Sequence, residues 1–272
     1  MPQLRYAIIS AVRNEATNLP QMLTSIQHQY ILPQHHLIVD DGSIDDSLRI
    51  LQAFAHTQPW IRVFLNPHRN KRTISSHVDA LNYALQKLWL FDDWDYLSVL
   101  DGDVVLEKGY YSKLLTIMRA EHIDIISGVI AGERTEEPRG CGRIYTREFM
   151  EKLKLFPSMP AWDTFHNYIA KLHKRKILLV EKAQMHPLRR TAASLKSAYR
   201  TGVSCAILRY FFPYLVGRAV IKGIRGLIML FTFIIFRVFA YSFKISKRFK
   251  HFIQIEQKRK LNRILMSYIK NH

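Results

Sequence analysis

Two short apolar runs each stop on a pair of closely spaced aspartates, at Val39-Asp40-Asp41 and at Leu100-Asp101-Gly102-Asp103. Around them, extended and helical patterns alternate through the first 181 residues. Strands are expected over residues 5–10, 36–39, 61–65, 96–100, 123–130 and 177–180, and helices over 18–29, 47–55, 78–90, 110–119 and 164–174. The first helix carries Leu19, Met22, Leu23 and Ile26 at helical spacing, whereas the first strand is an unbroken Ile-rich run. This rhythm predicts an α/β, Rossmann-like, mostly parallel sheet flanked by helices. In such sheets ligands bind beyond the carboxyl ends of the strands, where both aspartate clusters fall.

Charge divides the chain in two. Residues 1–181 hold 21 basic and 21 acidic side chains, while residues 182–272 hold 19 basic ones and a single acid, Glu256, so the whole net charge of +18 lies in the last third. Such a block wants a polyanion, either nucleic acid or anionic lipid. Residues 207–243 are rich in Phe, Ile, Leu, Tyr and Val, yet Arg209, Arg218, Lys222, Arg225 and Arg237 interrupt them. The longest uncharged stretch, residues 226–236, has 11 residues, short of the roughly 20 that span a bilayer. Residues 244–272 are basic and amphipathic. A globular domain over 1–200 is therefore expected, followed by a basic, hydrophobic helical region over 201–272 that lies on a membrane through snorkelling Lys and Arg. A buried helical pair completing the core or a dimer interface would also account for that region, so a homo-oligomer stays open. The first residues show no basic region followed by an apolar one, so no secretory signal is expected. Cys141 and Cys205 lie 64 positions apart, a spacing that suits neither a metal site nor a disulfide framework and fits a reducing compartment.

The aspartate clusters carry the chemistry. In VDDGSIDDS (residues 39–47), Gly42 permits a tight turn and Ser43 can cap the next helix, which explains everything except the doubled Asp40-Asp41. A carboxylate there can accept hydrogen bonds from a base or a ribose. In LDGDVVL (residues 100–106), Gly102 lets Asp101 and Asp103 converge. Paired oxygen ligands suit Mg2+ or Mn2+ bridging a diphosphate, although surface turns also produce this pattern. Asp163 in AWDTF is either a helix N-cap or a base for an acceptor hydroxyl, and Trp162 either stacks on an acceptor ring or packs in the core. In MHPLRR (residues 185–190), His186 can supply a nitrogen ligand to the metal, and Arg189 and Arg190 can bind phosphate. An exposed basic loop is the plainer reading there, and the same pair of readings applies to His68–Arg72 with Lys71 and Arg72.

Taken in order, SAVRNEATNL (residues 10–19), VDDGSIDDS, KRTISSHVDALNYAL (residues 71–85), LDGDVVL, AWDTF and MHPLRR resemble the family 2 glycosyltransferases of the GT-A fold, over residues 4–190 and more loosely to Pro213. The resemblance implies that Ala11, Arg13, Glu15 and Asp41 line the nucleotide site. It makes Asp101 and Asp103 a DxD motif with Asp103 the direct metal ligand, and it puts Asp163 in the place of the catalytic base. Gly140-Cys141-Gly142 resembles the loop on which such enzymes present the acceptor. Where the family often has Pro and an aromatic before its Asn-Glu pair, this chain has Ala11-Val12-Arg13, which leaves the base contact open. No QxxRW follows Asp163, so one sugar per acceptor is expected. The implied enzyme is inverting and metal-dependent, uses a nucleotide-sugar donor (a UDP-sugar foremost) and a glycan or lipid-linked acceptor, and works at the cytoplasmic face of a membrane as a peripheral or monotopic protein. A nucleotidyltransferase with a similar core, releasing pyrophosphate, is the rival within enzymes. A nucleic-acid-binding protein is the rival outside them, but the tail carries no nucleic-acid-binding motif, so no nucleic-acid partner is expected.

Overall fold

The computed structural model describes residues 4–68, 70, 73–133, 135–189, 194–239 and 245–270. The chain forms two compact units, residues 1–191 and 192–272.

The first unit is built on an eight-stranded sheet in the order β3-β2-β1-β4-β7-β6-β8-β5. Strands β1 (Tyr6–Val12), β2 (His35–Asp40), β3 (Ile61–Leu65) and β4 (Tyr96–Val99) are mutually parallel and make up one half. Helices α1 (Leu19–Gln27), α2 (Ser47–Thr57) and α3 (Ser76–Leu88) connect them. Every residue of β1 and β2 is buried, and alternate residues serve opposite faces. Tyr6, Ile8 and Val12 join a core with α1, α2 and α4 (Tyr110–Ala120). Ala7, Ile9 and Ala11 join a second core with α3, α5 (Arg147–Leu153) and α6 (Trp162–Leu172). A strand covered on both sides needs apolar side chains at every position, which is why residues 5–10 read as a continuous run.

The other half is mixed. β7 (Arg143–Thr146) runs antiparallel to both β4 and β6 (Ile125–Ile130), and β8 (Ile177–Pro187) pairs parallel with β6 and antiparallel with β5 (Val104–Leu106). The sequence pattern shows neither β5 nor β7, and it ends β8 at residue 180. Three-residue β5 is too short for a periodicity, β7 opens on a charged residue, and the last residues of β8 alternate between buried Ala183 and Met185 and exposed neighbours.

In the second unit, α7 (Leu195–Ile207), α8 (Phe212–Lys222) and α9 (Ile224–Phe239) pack together, and α10 (Lys247–Lys270) follows. α7 approaches α9 closely because Gly202 has no side chain; a Cβ there would lie 2.5 Å from the Met229 carbonyl oxygen. Gln257 of α10 accepts the backbone N–H of Phe211 (2.6 Å) and so caps the start of α8. Its first helix, α7, starts at Leu195 and packs with α9.

Candidate functional site

The ends of β1, β2 and β4 open onto a cavity of about 270 Å³ lined by Ala11, Val12, Arg13, Glu15, Asp41, His77, Asp101, Gly102 and Asp103. β1 delivers the first of these. Beyond Val12 the chain turns through Asn14 at φ 53°, and Glu15 is fixed by its own backbone: its N–H donates to Ser47 Oγ (2.8 Å) and its carbonyl accepts the N–H groups of Asn18 and Leu19 at the start of α1.

The aspartate doublet after β2 is divided in its work. Asp40 Oδ1 accepts the N–H groups of Gly42 and Ser43, both at 3.0 Å, so this carboxylate folds its own turn. Its Oδ2 is buried and unpartnered among the described residues. Asp41 reaches the cavity; its Oδ1 accepts from Asn66 Nδ2 (2.6 Å), and its carbonyl accepts from Arg13 Nη1 (3.1 Å). Ser43 does not cap α2. Its hydroxyl accepts the N–H of Asn14 (3.0 Å), and Asp45 takes the capping role by accepting from both the N–H and the hydroxyl of Ser47.

Asp101 and Asp103 follow β4. Asp101 lies 3.7 Å from His77 Nε2 at the start of α3, and its N–H donates to Cys141 Sγ at 3.4 Å. Burial, and then the neighbouring charge of Asp101, raise the Asp103 carboxyl above its usual range. Arg189 sits between two acids, with Nε 3.3 Å from Asp103 Oδ2 and Nη2 in close contact with Glu15 Oε1. Four carboxylates thus gather at the cavity, and among the described residues Arg13 and Arg189 are the guanidinium groups beside them. An anionic ligand enters such a place only with added positive charge. The all-oxygen pair Asp101 and Asp103 fits a hard divalent cation, Mg2+ or Mn2+. Among the described residues no three His, Cys, Asp or Glu groups gather as a metal-holding cluster. His186 is not among the cavity residues; it lies exposed on β8 opposite Val105.

The loop over residues 138–142 runs beneath the aspartates. Gly142 takes φ 66°, and a Cβ there would lie 2.6 Å from the Tyr110 hydroxyl and 2.7 Å from Met185 Sδ, so only glycine fits. Cys141 is buried, and burial pushes its thiol well above the usual range. Gly140 lies against Trp162 and the Cβ of Asp163. A chain of contacts therefore runs from Asp101 through Cys141 and Gly140 to Asp163 in the first turn of α6. Asp163 Oδ1 accepts the N–H of Thr164 (2.8 Å). Trp162 is only 8% exposed, edge-on to Phe156 and His166, so protein side chains occupy it and the core reading of this residue is the one the packing favours. Lys71, Arg72 and Arg190 lie outside the described residues.

Three residues that the sequence pattern did not single out shape the site. Asn66 and His77 follow a strand and open a helix, places where polar residues are ordinary. Arg143 is fully buried, and its guanidinium donates to the carbonyls of Pro138, Arg139 and Asp163 and to the Tyr145 hydroxyl. A buried charge of this kind is stable only when every donor is met; here it ties the 138–142 loop to the start of α6.

Comparisons with known proteins give the family and the fold. The glycosyl transferase family 2 model matches residues 7–175. The chain is 25% identical over 122 residues to a cholesterol galactosyltransferase of Borreliella burgdorferi, covering 45% of this chain and 31% of that protein. The fold is similar to a mannosyltransferase from Pyrobaculum calidifontis, solved with GDP-Man and Mn2+ (TM-score 0.61, 16% identity, 74% of this chain and 61% of that one). It is also similar to residues 1–349 of S. aureus TarS, solved with UDP-GlcNAc (TM-score 0.57, 15% identity, 75% and 66%). The chain spans about a third of the length of the curated relative.

Proposed function

Because the chain belongs to glycosyl transferase family 2, we propose that it transfers a single sugar from a nucleoside-diphosphate donor to an acceptor hydroxyl with inversion at the anomeric carbon. The observation that carries this reading is the carboxylate-lined cavity at the strand ends, where Asp101 and Asp103 face Asp41 and Glu15. A divalent ion bound by Asp101 and Asp103 would supply charge neutralisation for the departing diphosphate.

The chain's own residues do the remainder. Asp41, Arg13 and Ala11 line the part of the cavity suited to the nucleoside, Asp41 being held in place by Asn66. Arg189 can turn from Glu15 and Asp103 to the phosphates, with Lys71, Arg72 and Arg190 as further candidates. Asp163 takes the acceptor proton as the new bond from the acceptor oxygen to the anomeric carbon forms and the bond to the diphosphate oxygen breaks. Its position next to Gly140 and its backbone tie to Arg143 support this role, since a carboxylate serves as a base when held within reach of the hydroxyl. Positioning and fixed charges would give most of the acceleration. His186 remains a candidate third ligand on sequence grounds alone. Gly140, Cys141 and Gly142 support the site from beneath, and the acceptor, a glycan or a lipid-linked one, would enter beside them.

The same reading places the enzyme at the cytoplasmic face of a membrane, held peripherally. Support comes from the basic last third, since anionic cytoplasmic leaflets attract Lys and Arg, and from two buried free thiols. No described helix is long and apolar enough to cross a bilayer.

A thermal-shift panel of UDP-, GDP- and dTDP-sugars, with and without Mn2+, tests the donor and the metal together. Stabilisation by one nucleotide sugar that requires Mn2+ is the expected result. A flat response to every combination would overturn the reading.

A further inference from the structure

α9 is apolar on both sides, yet only one side is covered. Gly226, Met229 and Phe233 are buried, whereas Ile224, Leu227, Phe231 and Ile234 are 71%, 67%, 67% and 49% exposed. The exposed four recur at intervals of three and four and so share one helix face. At the end of α8, just before Gly223, Val220 and Ile221 are also 77% and 84% exposed, and Lys222 beside them is exposed. A run of exposed large apolar side chains of this kind marks a contact site rather than a solvated face.

We propose that this α8–α9 face is the part of the chain that enters an anionic lipid surface, deepening the membrane reading above, on which it rests. The occupant follows from charge. Residues 192–272 hold sixteen basic side chains and one acid, so a second copy brought against this face would meet like charge. Nucleic acid offers phosphates but no apolar phase. A bilayer with anionic headgroups offers both, with Ile224, Leu227 and Phe231 among the acyl chains and Lys222 at the headgroups. α9 has 16 residues, about 24 Å at the usual rise, shorter than the roughly 30 Å hydrocarbon core. With Arg225 and Arg237 near the two ends of this described stretch and its other side packed on α7 and α8, it suits the interface plane.

Co-sedimentation of the full chain with vesicles of phosphatidylcholine alone, or with about a third phosphatidylglycerol, tests this. Wild type binds the anionic vesicles and binds neutral ones far more weakly. The double variant L227S/F231S loses about tenfold or more of that binding while keeping the wild-type helical content by circular dichroism, which shows that its helices stay folded. A second variant, F231C labelled with a polarity-sensitive dye, shifts to the blue on adding anionic vesicles; Cys141 and Cys205 are buried and compete little for label. Undiminished binding by L227S/F231S with no dye shift overturns the assignment of this face while leaving membrane association standing. No binding of wild type to either vesicle overturns membrane association itself and leaves sugar transfer untouched. A wild-type dimer that L227S/F231S converts to monomer gives the face to a second copy and also overturns the proposal.

Discussion

Asp163 is the residue on which the stereochemical reading turns. Asp163→Asn keeps the hydrogen bond that Oδ1 accepts from Thr164 and removes the base, so transfer falls by about 10²- to 10⁴-fold while nucleotide-sugar binding stays within a few fold, read by product formation against thermal shift. Two buried histidines make a separate prediction. His36, hydrogen-bonded to Ser10 Oγ at 2.9 Å, is held neutral by burial, its pKa lowered from 6.5 to about 3. His166 is also lowered, first by burial and then by the charge of Arg143. A depressed histidine favours the fold above its unfolded pKa, and that contribution is lost as pH falls from there towards the folded value, because the unfolded chain gains the proton first. Stability should fall by about 1.4 kcal/mol per pH unit for each histidine once the pH drops well below 6.5. Melts between pH 7.5 and 5 check this, and His36→Asn should flatten the slope. At this scale the sequence marks candidate residues by type, and the fold decides which of them meet. Residue type alone does not separate Asp40 from Asp41, although the family resemblance favours Asp41; in the structure Asp40 closes a turn and Asp41 meets the cavity. His77 reads as one more polar helix residue until α3 is packed on β1 and β2 and brings it within 3.7 Å of Asp101.

Elements were legible in proportion to how evenly their environment repeats. The strand expected over residues 61–65 matches β3, and the expected helices over 47–55 and 110–119 fall on α2 and α4 within one or two residues. β7 escaped because it has only four residues and its first residue is a buried arginine. An isolated charge argues against a buried strand unless carbonyls wait to receive it, and those carbonyls belong to residues 138, 139 and 163. The loop and β7 act together under the aspartates. Gly142→Ala must force a left-handed residue and press on Tyr110 and Met185, so it should cost about 2 kcal/mol or more. Its melting temperature should drop, and nucleotide-sugar stabilisation that depends on Mn2+ should weaken with it. A normal melt with normal ligand response would show that the loop does not support the site.

Across the whole molecule, charge asymmetry is the feature legible in the sequence, and the structure divides into units over residues 1–191 and 192–272. A chain ending at Thr191 retains the sheet, both cores and every described cavity residue. It should melt in one cooperative transition and respond to nucleotide sugar as the full chain does, and failure to fold would show that the second unit supports the first. Arg189, close to that boundary, has a consequence of its own. Its guanidinium already pairs with Glu15 and Asp103, so on the proposed reading a divalent ion entering the site would compete with it for Asp103. Arg189→Ala should therefore bind Mn2+ more tightly in calorimetry without nucleotide, and bind the nucleotide sugar less tightly once Mn2+ is present. The resting protein would thus discriminate against a bare metal ion and admit it readily only in the company of a diphosphate that gives the arginine somewhere else to go.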